Sequence, residues 1–221
     1  VEERNEMLVQ HGMGKLKTGE GAYIKEFDID SIACRIPPNE VEQLHPQHML
    51  MLKVANRAIA DAGIKEGSNV AVIIAGDTQL TVHGGYQRWH LSWQTKEGLR
   101  HGKITLSAEQ VTQLETILKD SLTKPVESNE SLSYTSNLMA TRISSLWDFS
   151  GSSFTLSAGE NSVFKALEIA QMLLSAREVD AVVLGAVDLA GGLENIWLQN
   201  QFAKVNTGTH SLSYDEFSNG W

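Results

Sequence analysis

The sequence holds a single cysteine, Cys34, among its 221 residues. One thiol can neither close an intramolecular disulfide nor assemble a cysteine-based metal site. A reducing, cytoplasmic setting is therefore expected. Positive charge is also scarce: 18 Lys and Arg against 27 Asp and Glu leave a net charge of −9. A generic nucleic-acid or anionic-membrane surface calls for basic patches, so neither partner is expected. Long apolar runs are missing, and none approaches the roughly 20 residues needed to cross a bilayer. The opening Val1-Glu2-Glu3-Arg4-Asn5-Glu6 is acidic and lacks the basic and apolar regions of a secretory signal. It also lacks an initial methionine, which reads as the mark of an excised piece of something longer.

What is present suits a folded body. Hydrophobic residues make up 42% and charged residues 20%, enough to bury a core. Residues 1–34 read as an irregular lead-in with glycines at 12, 14, 19 and 21. Cys34 closes it within Ile32-Ala33-Cys34-Arg35-Ile36, ahead of Pro37-Pro38. No glycine-rich elbow or helix start surrounds the thiol, so it reads as structural. From Pro46 to Ala62 apolar residues recur at three- and four-residue spacing (Met49, Leu52, Ala55, Ile59), and Gly63 supplies the stop. Val70-Ala71-Val72-Ile73-Ile74-Ala75 is continuously apolar, as in a strand buried on both faces.

Residues 77–130 are less periodic. Ser107 and Gln110 form a capping-box pattern ahead of Leu114, Ile117 and Leu118, which predicts a helix. Arg88-Trp89-His90-Leu91-Ser92-Trp93 is rich in aromatics and reads as a partly buried loop. Further on, Phe154-Thr155-Leu156-Ser157 reads as a strand, Ser162 to Ser175 as a helix, and Ala181 to Val187 as another buried strand. Strand, helix, strand in that order is the crossover unit of a parallel α/β sheet. One α/β domain over residues 1–221 is expected.

Between that strand and helix lies Ser157-Ala158-Gly159-Glu160-Asn161-Ser162. Small residues allow a sharp bend, and enzymes often place a nucleophile there because the free N–H groups of a helix start favour negative charge. This chain offers Glu160. An acid at a helix start also has a plain structural use, gaining about 0.3–1 kcal/mol from the dipole. The seven histidines carry less. His45 and His48 could share a metal by spacing, yet no third ligand is evident, so no metal is expected. His83, His90, His101 and His210 read as surface or loop residues.

Several segments together resemble a known family. Leu44-His45-Pro46-Gln47-His48-Met49-Leu50-Met51-Leu52 is similar to the "MDPQQRLLL" helix start of β-ketoacyl synthase domains. Ala58 to Gly63 resembles the family's "ALEDAG", and Thr141 to Ser153 resembles "NRISYLLDLRGPS". Phe154 to Ala166 falls on the nucleophile segment "TVDTACSSSLVA", and Val179 to Val187 on "CDLALVGGV". Tyr214 to Trp221 falls on "FDAAADGF". The wording of the segments most resembles chain-length-factor domains of bacterial polyunsaturated fatty acid synthases. The resemblance implies the N-terminal half of a thiolase-like fold, a mostly parallel sheet with flanking helices.

It also implies a loss. The family's nucleophilic cysteine falls on Glu160, its preceding alanine on Gly159 and its following serine on Asn161. The family's two catalytic histidines belong to the C-terminal half, outside these residues. A carboxylate is a poor thioester acceptor, so the resemblance implies no catalytic residue, no cofactor, and a partner's role. Such partners dimerise with an active ketosynthase, help shape its acyl tunnel and serve an acyl carrier protein. The strand before the bend lies at the centre of family dimers, which places Phe154, Thr155 and Leu156 at an interface. Two other readings remain: a malonyl-thioester decarboxylase of the same fold, and a free-standing α/β binding protein.

Overall fold

A computed structural model describes residues 5–6, 9–10, 24, 26–42, 44–76, 83–122, 135–189, 191, 193–202 and 216. The chain divides into two compact units, Ile29–Val187 and the pair Val1–Asp28 with Asp188–Trp221. The lead-in glycines at 12, 14, 19 and 21 and the Tyr214 to Trp221 segment, apart from Glu216, lie outside the described residues.

In chain order the elements are α1 (Pro38–Val41), α2 (Pro46–Asp61), β1 (Val70–Ala75), α3 (His83–His101), α4 (Ala108–Leu122), α5 (Asn137–Leu146), β2 (Ser153–Leu156), α6 (Ser162–Ser175), β3 (Ala181–Ala186) and α7 (Leu193–Gln199). The first nine belong to the larger unit; α7 belongs to the other.

The continuous apolar run predicted as a doubly buried strand is the centre of the body. β1 pairs in parallel with β2 on one side and β3 on the other, giving the order β2-β1-β3. Each of its six residues is at most 2% exposed. Side chains alternate across a sheet, so successive β1 residues serve opposite faces. Ile73 and Ala75 pack with Ala166 and Ala170 of α6, flanked by Phe154, Leu156, Val182 and Leu184. The opposite face carries α2 and α5. There Met51, Leu52, Ala55 and Ile59 of α2 are buried, as are Met139, Ala140 and Ile143 of α5. Met51 lies over Gly185 of β3, the neighbour of the α6-facing Leu184. The body is thus a sheet between two helical layers.

Polar links fix the layers. The Trp147 indole N–H donates to Oδ1 of Asn56 at 2.8 Å, tying the end of α5 to α2. Arg142 of α5 donates to Glu40 of α1 at 2.9 Å, a part-buried ion pair. Before β2, Gly151 passes so close to β1 that a Cβ there would drive into the backbone of Val70 and Ala71. Only glycine fits that crossing.

Helix α2 starts at Pro46 as predicted, and the Ser107–Gln110 capping box holds in both directions. The Gln110 N–H donates to Ser107 Oγ at 3.2 Å, and the Ser107 N–H donates to Gln110 Oε1 at 2.9 Å. The aromatic stretch at residues 88–93 differs from the expected loop: it is the middle of α3. That helix has α4 as its chief packing partner, so it needs only a narrow seam and shows no broad apolar stripe. Leu91 and Leu99 are half-buried on it, whereas Trp89 and Trp93 stand exposed.

Candidate functional site

The bend between β2 and α6 is built by one glycine and one serine. Gly159 sits at φ +58°, a left-handed backbone that side chains disfavour. Ser162, buried at the first position of α6, closes the turn. Its Oγ accepts the Ala158 N–H at 2.8 Å and donates to the Gly159 carbonyl at 2.6 Å. The backbone repeats the closure, with the Asn161 N–H on Ala158 O and the Ser162 N–H on Gly159 O. Ala158 and Glu160 form an isolated bridge across the bend.

Glu160 is held out into solvent by this turn. It does not stand in the first turn of the helix. Asn161 is the N-cap and Ser162 the first helical residue, so Glu160 lies one position outside, and the first turn of α6 holds no acid. A helix dipole acts mainly within its first turn, so the benefit expected for a first-turn acid does not apply. Along the chain Glu160 is flanked by Ala158, Gly159, Asn161 and Ser162, none of which titrates near neutral pH. Among the residues of the bend, 157–162, Glu160 is therefore the one ionisable side chain.

Phe154 and Leu156 are half-buried and point into the layer shared with α6. Thr155 faces the other way along β2. Its N–H donates to Asn137 Oδ1 at 3.0 Å and its hydroxyl to the Ser136 carbonyl at 2.9 Å, anchoring the strand to the start of α5. These anchors and the Ser162 closure were not read from sequence. Ser162 carried a signal all the same: a hydroxyl at the first helical position after a Gly-x-Asn bend is placed to reach back to the turn.

The two histidines at the start of α2 have separate jobs. His45 is the N-cap, its Nδ1 accepting the Gln47 N–H at 3.3 Å, and burial lowers its pKa. His48 is 2% exposed and its Nδ1 has no hydrogen-bond partner among the described residues. Burial, with help from the Arg142 and His45 charges, pulls its pKa down to about 4. His48 is therefore a neutral core residue at physiological pH. Among the described residues no three His, Cys, Asp or Glu side chains gather as a metal would require. Cys34 is buried, and burial first, then the Asp30 charge, raises its pKa, which leaves an inert thiol. His90 and His101 lie on α3 rather than in loops, both exposed, with His101 Nε2 3.3 Å from Glu97. His83 opens the same helix, and His210 lies outside the described residues. No described helix is long and apolar enough to cross a membrane.

Comparison with known proteins gives a consistent result. The family described as "Beta-ketoacyl synthase, N-terminal domain" matches residues 3–221. A polyunsaturated fatty acid synthase subunit of Thraustochytrium sp. is 35% identical over 209 residues, covering 94% of this chain and 10% of that protein. A solved structure titled "PfaC Keto synthase-Chain length factor" is 37% identical with a TM-score of 0.81, covering 93% of this chain and 22% of that one. The chain thus spans a small part of each relative's length. Its helices and parallel sheet have the thiolase-like fold of that solved structure. On the strength of the family match and these two relatives, the chain belongs to the β-ketoacyl synthase family, as its N-terminal domain.

Proposed function

We propose that this chain is a noncatalytic, chain-length-factor-like domain of a polyunsaturated fatty acid or polyketide synthase. It pairs with an active ketosynthase and shapes the acyl tunnel that the two share, with an acyl carrier protein delivering the chain. The observation that carries this reading is Glu160. The scaffold around the bend is intact, with its strand, left-handed glycine, closing serine and helix, yet the position that falls on the family's cysteine holds an exposed carboxylate. A carboxylate would take an acyl group only as an anhydride, which water destroys, so no stable acyl-enzyme forms there. Similarity to a fatty acid synthase component and to a structure titled as a ketosynthase–chain length factor supports the same role. In this reading the β2 strand, with Phe154, Thr155 and Leu156, lies near the seam with the partner, and the domain acts in the cytoplasm.

The test is reconstitution. The parent protein is combined with the cysteine-bearing ketosynthase of its own synthase, and the mixture is examined by co-purification and product analysis. A stable pair whose product length shifts when tunnel-facing residues of this domain are altered is expected. A parent protein that stays apart from the ketosynthase, with product length indifferent to its presence, would sink the proposal.

A further inference from the structure

Helix α3 exposes two tryptophans one turn apart, Trp89 at 82% and Trp93 at 66%. Such large indoles are seldom left this open to water without a use. Lys96 and Arg100 continue the same face, because spacings of four, three and four residues keep a helix in register. Their side chains are 67% and 73% exposed. The four residues make a stripe about 16 Å long at 1.5 Å per residue, aromatic at one end and cationic at the other. The seam with α4 runs about 100° round the helix, through Arg88, which pairs with Asp120 at 2.6 Å, and the buried Thr95. Apart from the reach of Lys96 to Glu115 of α4, the stripe is left free of that packing.

No Asp or Glu falls on the stripe. The flanking carboxylates are shared: Glu115 serves both Lys96 at 3.5 Å and Lys119 at 3.7 Å, and Glu97 serves both Arg100 and His101. Glu115, facing two lysines, leaves positive charge over, while Glu97 offsets Arg100 and His101 adds charge only when protonated. Residues 83–122 carry five Lys and Arg against four Asp and Glu, whereas the whole chain carries −9. An acidic partner would be repelled by the remainder and steered to this hairpin. Phosphate polymers and anionic vesicles meet the same repulsion and need more cations than the stripe supplies. Exposed Trp and Arg are the residue types that most often anchor protein interfaces.

We propose that Trp89, Trp93, Lys96 and Arg100 form a docking surface for an acidic amphipathic helix of a partner protein, its apolar face on the indoles and its carboxylates on the cations. This rests on the hairpin surface alone and stands apart from the chain-length-factor reading.

The probe is a fluorescein-labelled, 18-residue helical peptide with a leucine face and glutamates elsewhere; its twin carries lysines instead. Anisotropy titrations with the protein should show saturable binding of the glutamate peptide and none of the lysine peptide. Trp89→Ala with Trp93→Ala should weaken binding at least tenfold. Lys96→Glu with Arg100→Glu should do the same and admit the lysine peptide. If the tryptophan variant loses helical circular dichroism, the charge-reversal variant decides. Equal binding of both peptides, parental affinity in the charge-reversal variant, or tighter binding of a DNA duplex or phosphatidylglycerol vesicles would overturn the proposal.

Discussion

The sheet is covered on both faces, but the two covers differ in kind. Helix α2 is one-sided: Met51, Leu52, Ala55 and Ile59 go inward, and Val54 is the large apolar residue it shows to solvent. Helix α6 also buries a stripe, with Ala166 and Ala170 against β1. It then exposes Val163, Phe164, Leu167, Met172 and Leu174 on the rest of its surface. A helix apolar most of the way round belongs in the middle of something. One helix is finished as a surface and the other is not. That contrast accords with a domain that is half of a larger body, as the proposed function requires.

Core truncation on the finished side should have the largest effect. Ile143 of α5 is 1% exposed, and Ile143→Ala should lower stability by about 4 kcal/mol, while Leu167→Ala on α6 should change it by less than about 0.5 kcal/mol. Denaturant midpoints measure both, and equal losses would erase the distinction between the two helices.

The next effect depends on pH and again belongs to the α2 side. Native His48 titrates at about 4, below the 6.5 of a free histidine, so the unfolded chain binds a proton that the native one refuses. Stability contributed by neutral His48 is complete above pH 6.5 and is lost as pH falls toward 4. The full loss is on the order of 3 kcal/mol. Comparing the pH dependence of stability with that of His48→Leu isolates the contribution, and parallel curves would show that His48 is not a buried neutral base. Gly151→Ala should follow at about 2 kcal/mol, because the new methyl group meets β1 backbone rather than a side chain that can swing away. An unchanged thermal midpoint would mean that the strand crossing is looser than its geometry indicates. The smallest effect is expected at the bend. Glu160 is exposed and outside the helix, so Glu160→Ala should shift stability by less than about 0.5 kcal/mol. A clear loss in the same measurement would reveal a structural duty for that carboxylate.

The sequence was most legible where one physical demand fixed the pattern. β1 had to be apolar at every position because helices cover both faces of the sheet, and it reads as an unbroken run. β3 reads the same way, yet at the edge of the described sheet it is only half-buried and Ala186 is exposed, so its run overstated its burial. The helix from Ser162 to Ser175 and the capping box at Ser107 were readable for the same reason, since their signals are local. α3 was not readable. Its main contact is one neighbouring helix, and polar residues such as Arg88 and Thr95 line the seam, so no apolar period announces it. The bend was legible in composition but not in register. Whether Glu160 is the cap or lies just outside depends on a single φ/ψ choice at Asn161, which composition does not encode.

The closure by Ser162 has a wider consequence. Because the hydroxyl of Ser162 and the left-handed Gly159 define the bend between them, its shape does not depend on the side chain displayed at position 160. Form and chemistry are uncoupled there. A lineage could exchange the reactive group at the apex and retain an unaltered scaffold, so loss of a nucleophile need not be followed by loss of the fold.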